Sequence, residues 1–302
     1  AQDFMLSSNS NRQIKELIKL QNQAKYRKKS GMFVAEGAKL VAEAAHYGKL
    51  QKIYIAESSQ GREEERIQPL LEEFPYEVVS EEVFAEITDT VTPQGVLGLV
   101  QMPKYTMEEI LNANNQQFLL LDDLRDPGNL GTIMRTAEGA GMAAVLMSKG
   151  TVDLFNPKVV RATMGAIFRM PYCYVEDLPA LAEKLREQGI AVYGTAMEGS
   201  VVYDEPDYTT GAAMVIGNEA NGMSDAMFAA ITDRIRIPME GSLESLNAAV
   251  SAAIVMYEMQ TSLKKQKMVV SADIVEKKRE MFYNADIINT LETYSLKNEK
   301  GM

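Results

Sequence analysis

The chain has 302 residues, 46% of them apolar and 24% charged, and carries a formal net charge of −11. This balance fits a globular protein of two domains, and the acidity excludes attraction of nucleic acid by the surface as a whole. One histidine, His46, and one cysteine, Cys173, exclude an internal disulfide, a zinc site built on Cys and His, and Ser–His or Cys–His catalysis, so no metal is expected.

In chain order, residues 10–29 pattern as one helix, with Ile14, Leu17, Ile18 and Leu20 on one side. Between Arg12 and Lys29 seven basic residues stand against one acidic residue, Glu16, a local cationic face on an acidic protein. Lys25, Arg27, Lys28 and Lys29 are its candidates for phosphate contact. GMFVAEG reads as a strand, and GAKLVAEAAHYG as a helix closed by Gly48, with His46 near its end. KIYIAES, YEVVS and TPQGVLGLVQM are further strands. ERIQPLLEEF and SEEVFAEIT are helices, the second capped by Ser80. The alternation predicts a small α/β sandwich over residues 1–103, followed by a linker at 104–116 with a helical turn at MEEILN.

From residue 117 the pattern becomes repeated strand–helix units, a second domain expected over 117–262. QFLLLD, AAVLMS, PYCYVE, AVYGTA, AAMVIG and RIRIP are strands; 129–140, 157–168, 178–189, 224–231 and 246–260 are helices. Short apolar strands alternating with helices predict a mostly parallel sheet covered on both sides. The helix starting near Asn247 is apolar on more than one face, so both faces need cover. A tail, 263–302, is expected to carry a separate amphipathic helix that docks or stabilises a dimer. No apolar run approaches the roughly 20 residues that span a bilayer, and no signal-peptide pattern opens the chain. The expected compartment is the reducing cytoplasm.

Two strands end in polar loops rich in small residues and backbone N–H groups, Gly217–Ser224 and Met239–Ser245. Strand ends are where open α/β sheets bind ligands, so the pair predicts a pocket that grips a cofactor largely by main chain. Glu219 lies within the first loop. DPGNLG makes a turn after a strand, placing Asn129 at a helix start and Arg135 almost two turns along, on roughly the same side. Ser245 is a candidate N-cap for the last long helix. Neither GxGxxG nor a GK[ST] phosphate loop is present, which removes dinucleotide and nucleoside-triphosphate sites of those kinds.

GNEANGM followed by IPMEGSLESLN resembles motifs two and three of the SpoU (TrmH-like) branch of the SPOUT RNA methyltransferases, and LLLDDLRDPGNLGTIMRTAEGAGM, 119–142, resembles motif one. That resemblance implies a trefoil-knotted C-terminal α/β domain and a smaller L30e-like N-terminal domain that binds RNA, here through Lys25, Arg27, Lys28 and Lys29. It implies S-adenosylmethionine as cofactor, held at Gly217, Ile237 and Leu246 with Thr195 as a further wall. It places Asn129, Arg135, Glu219 and Asn247 in the active site. The implied reaction is methylation of a ribose 2′-OH in structured RNA, most readily 23S rRNA. A tRNA 2′-O-methyltransferase and a non-catalytic RNA-binding or ribosome-assembly protein are the alternatives. Guanidinium stays protonated, so Arg135 is read as a clamp on phosphate and developing alkoxide, with water or Glu219 taking the proton. A homodimer through the C-terminal domain is implied as well. The chain departs from the usual SLNVSVA pattern at Ala249, a change of packing.

Overall fold

The helix expected over residues 10–29 is broken in two. The computed structural model describes residues 5–61, 65–196 and 201–298, with side chains as far as residue 280. Helix α1 (Arg12–Asn22) starts at Asn11, whose side chain accepts the Gln13 N–H, and ends where Gln23 adopts extended φ and ψ of −126° and 103°. Helix α2 (Ala24–Ser30) stops at Gly31 in the left-handed region. The break turns Arg27 inward, where it is only 3% exposed. Its Nη1 donates to the carbonyls of Leu20 (2.6 Å) and Gln21 (3.2 Å), groups at the end of α1 that the helix itself leaves unpaired. Its Nε and Nη2 donate to Asp153 of the second domain at 3.0 and 2.6 Å. Arg27 is therefore a buried tie and not part of the exposed cationic face, which corrects its expected place beside Lys25, Lys28 and Lys29. Those three lysines are exposed.

The N-terminal domain continues with β1 (Met32–Glu36), α3 (Ala38–His46), β2 (Leu50–Ala56), α4 (Gln68–Glu73), β3 (Tyr76–Val79), α5 (Glu81–Ile87) and β4 (Val96–Gln101). Its strands run in the order β1-β4-β2-β3, with β4 antiparallel to both neighbours and β2 parallel to β3. Ile14, Leu17, Leu20, Val83, Phe84 and Ile87 from α1 and α5 pack on one face of the sheet. Val41 and Ala44 of α3 pack on the other, with Phe33, Ala35, Ile53 and Ile55. This is the expected sandwich, and His46 sits exposed at a helix end, as expected.

The second domain follows α6 (Met107–Leu111), capped reciprocally by Thr106 and Glu109. Its elements are β5 (Gln117–Leu121), α7 (Pro127–Gly139), β6 (Ala144–Ser148), α8 (Pro157–Ala162), β7 (Tyr172–Val175), α9 (Leu178–Glu187), β8 (Ala191–Thr195), β9 (Val201–Val202), β10 (Ala212–Ile216), α10 (Asp225–Ala230), β11 (Asp233–Arg236) and α11 (Ala248–Asn298). The helix expected over 157–168 ends early because Met164 (φ 50°) and Gly165 (φ 90°) leave the helical region, and only a short 3-10 turn follows. The seven strands run β7-β6-β5-β10-β8-β11-β9, every pair parallel. Edge strand β9, two residues long, went unseen in the sequence.

Strands β5 and β10 are buried along their whole length. Leu119, Leu121, Met214 and Ile216 face α7 and α11; Phe118, Leu120, Ala213 and Val215 face α9 and α10. Cover on both faces explains continuous apolar strands without alternation. Because all the strands point the same way, the loops after β5, β8, β10 and β11 share one edge.

The two domains share a core: Phe33 of β1 lies 4.9 Å from Phe155 and 6.1 Å from Phe168, ring centre to ring centre. Arg169 bonds Glu43 of α3 at 2.8 Å and also Glu138 of α7. The expected separate tail helix is instead a continuation of α11, and residues 264–280 are exposed. The described part of the tail does not fold back over the domain. No helix among the described residues is long and apolar enough to cross a membrane.

Candidate active site

Loops after β5, β8, β10 and β11 at the shared strand edge line a cavity of about 1220 Å³. The loop after β10 is shaped by Asn218. Its Oδ1 accepts the N–H groups of Ala220 and Asn221, both at 3.0 Å, and its Nδ2 donates to the Asp123 carbonyl at 2.9 Å. Asn218 and Gly222 then exchange backbone bonds of 2.9 Å, closing the loop on itself. Gly217 is forced by that closure: a Cβ there would lie 2.3 Å from the carbonyl carbon of Gly222 and the nitrogen of Met223. A polar Asn at the head of a turn is the sequence signal that would have singled out Asn218.

The closed loop presents Glu219 to the start of α7. Its carboxylate accepts the N–H of Arg125 at 3.0 Å, the N–H of Asp126 at 2.9 Å and the Nδ2 of Asn129 at 3.2 Å. Burial pushes the Glu219 carboxyl up, but the N–H donors of Asp126 and Arg125, with Asn129, outweigh it and hold its pKa below the usual value. Glu219 does not cap α10; Ser224 does, by accepting the Met227 N–H. Asn129 does not cap α7 either; Asp126 does, accepting the Asn129 N–H at 2.8 Å.

Asn129 hands the connection on. Its Nδ2 serves the carboxylate, so its Oδ1 is left to accept, and Asn247 Nδ2 donates to it at 3.0 Å. Asn247 Oδ1 in turn accepts the N–H groups of Ala249 (2.8 Å) and Val250 (3.3 Å), capping α11. The cap is thus Asn247 and not Ser245. Each amide has one orientation that satisfies all its partners. Glu219, Asn129 and Asn247, drawn from three separate motifs, form one hydrogen-bonded chain along the cavity wall.

Arg135 does not join them. Six helical residues turn through about 600°, which leaves about 120° between two side chains, so the expectation of a shared side fails. Arg135 lies on the exposed stripe of α7 with Gly128, Thr132 and Gly139, and is not among the residues that line the cavity. Thr195, Gly217, Ile237 and Leu246 all line it. Thr195 is fixed by its hydroxyl, which donates to the Val215 carbonyl at 3.2 Å.

The lining combines apolar walls (Ile216, Ile237, Leu246) with polar side chains (Thr195, Asn221, Ser245, Ser251), which suits a nucleoside carried on an aliphatic chain. Among the described residues no group of three or more His, Cys, Asp or Glu side chains could hold a metal ion.

A family model for the SpoU rRNA methylase family matches residues 116–257, and one for an MRM3-like substrate-binding domain matches 11–98. The 23S rRNA (guanosine(2553)-2'-O)-methyltransferase RlmP of Bacillus subtilis is 36% identical over 84% of this chain and 98% of its own length. Human mitochondrial rRNA methyltransferase 3 is 30% identical over 87% of this chain and 75% of its own. The crystal structure of an AdoMet-bound rRNA methyltransferase from Sinorhizobium meliloti superposes with a TM-score of 0.75 at 30% identity, covering 86% of this chain and 98% of that one. With both domains matched in order and one relative aligned almost end to end, the chain belongs to the SpoU rRNA methylase family.

Proposed function

We propose that this protein transfers a methyl group from S-adenosylmethionine to a ribose 2′-OH of 23S rRNA. The observation that carries the reading is the chain Glu219–Asn129–Asn247 beside a cavity lined by Thr195, Gly217, Ile237 and Leu246. Bound there, the cofactor supplies an electrophilic methyl group. The loops around Gly217, Ile237 and Leu246 hold it by main chain, with Thr195 as a wall. Asn129 and Asn247 fix the starts of α7 and α11 and orient the ribose, so that alignment supplies much of the rate.

Glu219 is committed to three donors, and its lowered pKa makes it a weak base. Its role is to hold the loop against α7, and water takes the 2′-OH proton. Arg135 is available on the exposed face of α7 as a clamp for phosphate. Lys25, Lys28 and Lys29 capture RNA from the N-terminal domain.

The active unit is a homodimer formed through the C-terminal domain. Ala252, Val255, Met256 and Met259 of α11 are buried, whereas Val250 and Tyr257 are 47% and 50% exposed. Tyr257 reaches to Gly139 on the exposed stripe of α7 that carries Arg135. The described tail leaves this combined α7–α11 face uncovered, and a second copy would cover it, bringing Arg135 to the interface.

The test is to incubate the purified protein with 23S rRNA and methyl-labelled S-adenosylmethionine and digest the RNA to nucleosides. Label in a 2′-O-methylnucleoside is expected. Label on a base, label in tRNA alone, or no cofactor binding at millimolar concentration would overturn the reading.

A further inference from the structure

Phe228 on α10 and Arg234 on β11 line the same cavity and belong neither to the Glu219–Asn129–Asn247 chain nor to the loops assigned to the cofactor. The guanidinium carbon of Arg234 stands 4.6 Å from the centre of the Phe228 ring. Such stacking pins a long side chain that would otherwise sample many rotamers, while leaving the N–H groups on its edge free to donate.

The electrostatics of the cavity give this pair a task. Three carboxylates, Asp126, Glu219 and Glu244, line it, and the basic residues of the lining are Arg234 and Arg236. These arginines flank the buried Ile235, so both leave β11 on the sheet face opposite to it, the side of α10. Arg236 already has a contact within the protein. Arg234 has no carboxylate partner among the described residues; its recorded polar contact is the backbone N–H donated to Asp233 at 2.7 Å. Arg125, near the same cavity, is by contrast neutralised by Asp123 at 2.8 Å. An acidic protein that admits a polyanion to a cavity holding three carboxylates needs an unspent, pre-positioned cation there.

We propose that Arg234, held over Phe228, is the oxyanion-gripping residue of this cavity, binding either the RNA phosphate beside the target ribose or the carboxylate of the cofactor's amino-acid end. The proposal rests on the methyl-transfer reading for the identity of the two anions. A guanidinium offers either one a two-pronged, charge-assisted contact. Phe228 sets the height and plane of that contact, so it acts as a positioning residue through Arg234.

The experiment compares full-length wild type with Arg234→Ala, Arg234→Lys and Phe228→Leu. Calorimetry gives the affinity for S-adenosylmethionine and for its decarboxylated analogue; filter binding gives the affinity for a 23S rRNA fragment against salt concentration. If the anion is phosphate, RNA affinity falls about tenfold or more in Arg234→Ala, and the slope of log K against log salt shrinks by about 0.7–0.9. Cofactor affinity then stays put. If it is the carboxylate, cofactor affinity falls by a like factor while the decarboxylated analogue binds wild type and variant equally. Lysine keeps the charge but not the fork, and Phe228→Leu keeps the fork but not its platform, so both fall between wild type and alanine. These two milder variants carry the test should Arg234→Ala fail to fold. Wild-type affinity for cofactor, analogue and RNA in all folded variants would overturn the proposal. Binding is read without turnover: a wild type that moves no methyl group sinks the proposed function, and the same binding curves still decide the anion site.

Discussion

Asn247 donates its side-chain amide to Asn129 at 3.0 Å, joining the start of α11 to the first turn of α7 across 118 positions of sequence. The bond can form in one sense only, because Asn129 spends its own amide on Glu219. Asn129→Ala therefore breaks two links at once. It should lower methyl transfer by about 10²-fold, the usual cost of a small misplacement at a reacting centre, while cofactor affinity changes little. Asn247→Asp should be as damaging, since a carboxylate cannot donate to Asn129. Single-turnover rates and calorimetry on the two variants decide this; a wild-type rate in Asn129→Ala contradicts it.

Gly217→Ala should weaken cofactor binding by about 10–100-fold. The added methyl carbon meets main-chain atoms at 2.3 Å, which cannot swing aside as a side chain could. The loop must open, at a cost of about 1–3 kcal/mol. A variant that binds S-adenosylmethionine normally would show that the closed loop is not the cofactor's cradle.

Glu219 links the site to pH. Its folded-state pKa lies below the ordinary value of 4.5, so the stability it contributes is complete above that value. It is lost as pH falls through the folded pKa, when protonation removes an acceptor for the N–H groups of Arg125 and Asp126. Acid unfolding of wild type should accordingly be steeper below pH 4.5 than that of Glu219→Gln, with the two curves parallel at neutral pH. Coincident acid curves would deny Glu219 its anchoring role.

Arg27 and its lysine neighbours should separate cleanly. Arg27→Ala leaves the partly exposed Asp153 and the carbonyls at the end of α1 without their donor, and should destabilise the fold by about 1–3 kcal/mol, the cost of unmade hydrogen bonds to a charged group. Lys25, Lys28 and Lys29 changed together to Glu should leave the melting temperature nearly unchanged but weaken RNA binding and flatten its salt dependence. Denaturant titration and filter binding read the two effects; an unchanged salt slope makes the lysines a solvated surface only.

Much of this was legible in the sequence, for reasons that also explain what was not. Strands such as FLLL and AAMVI announced themselves because both faces are buried, and the three motifs carried Asn129, Glu219 and Asn247 to one place. Arg27 was misplaced because its charge is plain in the sequence, whereas its burial depends on the break at Gln23 and on Asp153, 126 positions away. Arg135 was misplaced because six helical residues do not close whole turns. Capping by Asn247 was assigned to Ser245, since several polar residues compete at a helix start and tertiary bonds choose among them. The tail read as a separate helix, although no proline or glycine interrupts residues 248–298 to end α11. Arg234 and Phe228 gave no local signal at all, because the stacking depends on how β11 follows α10.

The α7–α11 face should hold two copies together. Val250→Asp with Tyr257→Asp should give a soluble monomer by light scattering at micromolar concentration, with methyl transfer reduced along with the dimer. A chain ending at Lys267 should remain dimeric, since this face lies on the body of the domain. A wild-type monomer that methylates RNA contradicts the dimer.

The chain Glu219–Asn129–Asn247 should serve ribose methylation of 23S rRNA. Mapping 2′-O-methyl sites across 23S rRNA tests it most directly, in cells carrying the wild-type protein, lacking it, or carrying Asn129→Ala. One ribose should be methylated with the wild type and bare in the other two. An unchanged methylation map when the protein is removed, or full methylation with Asn129→Ala, would contradict it.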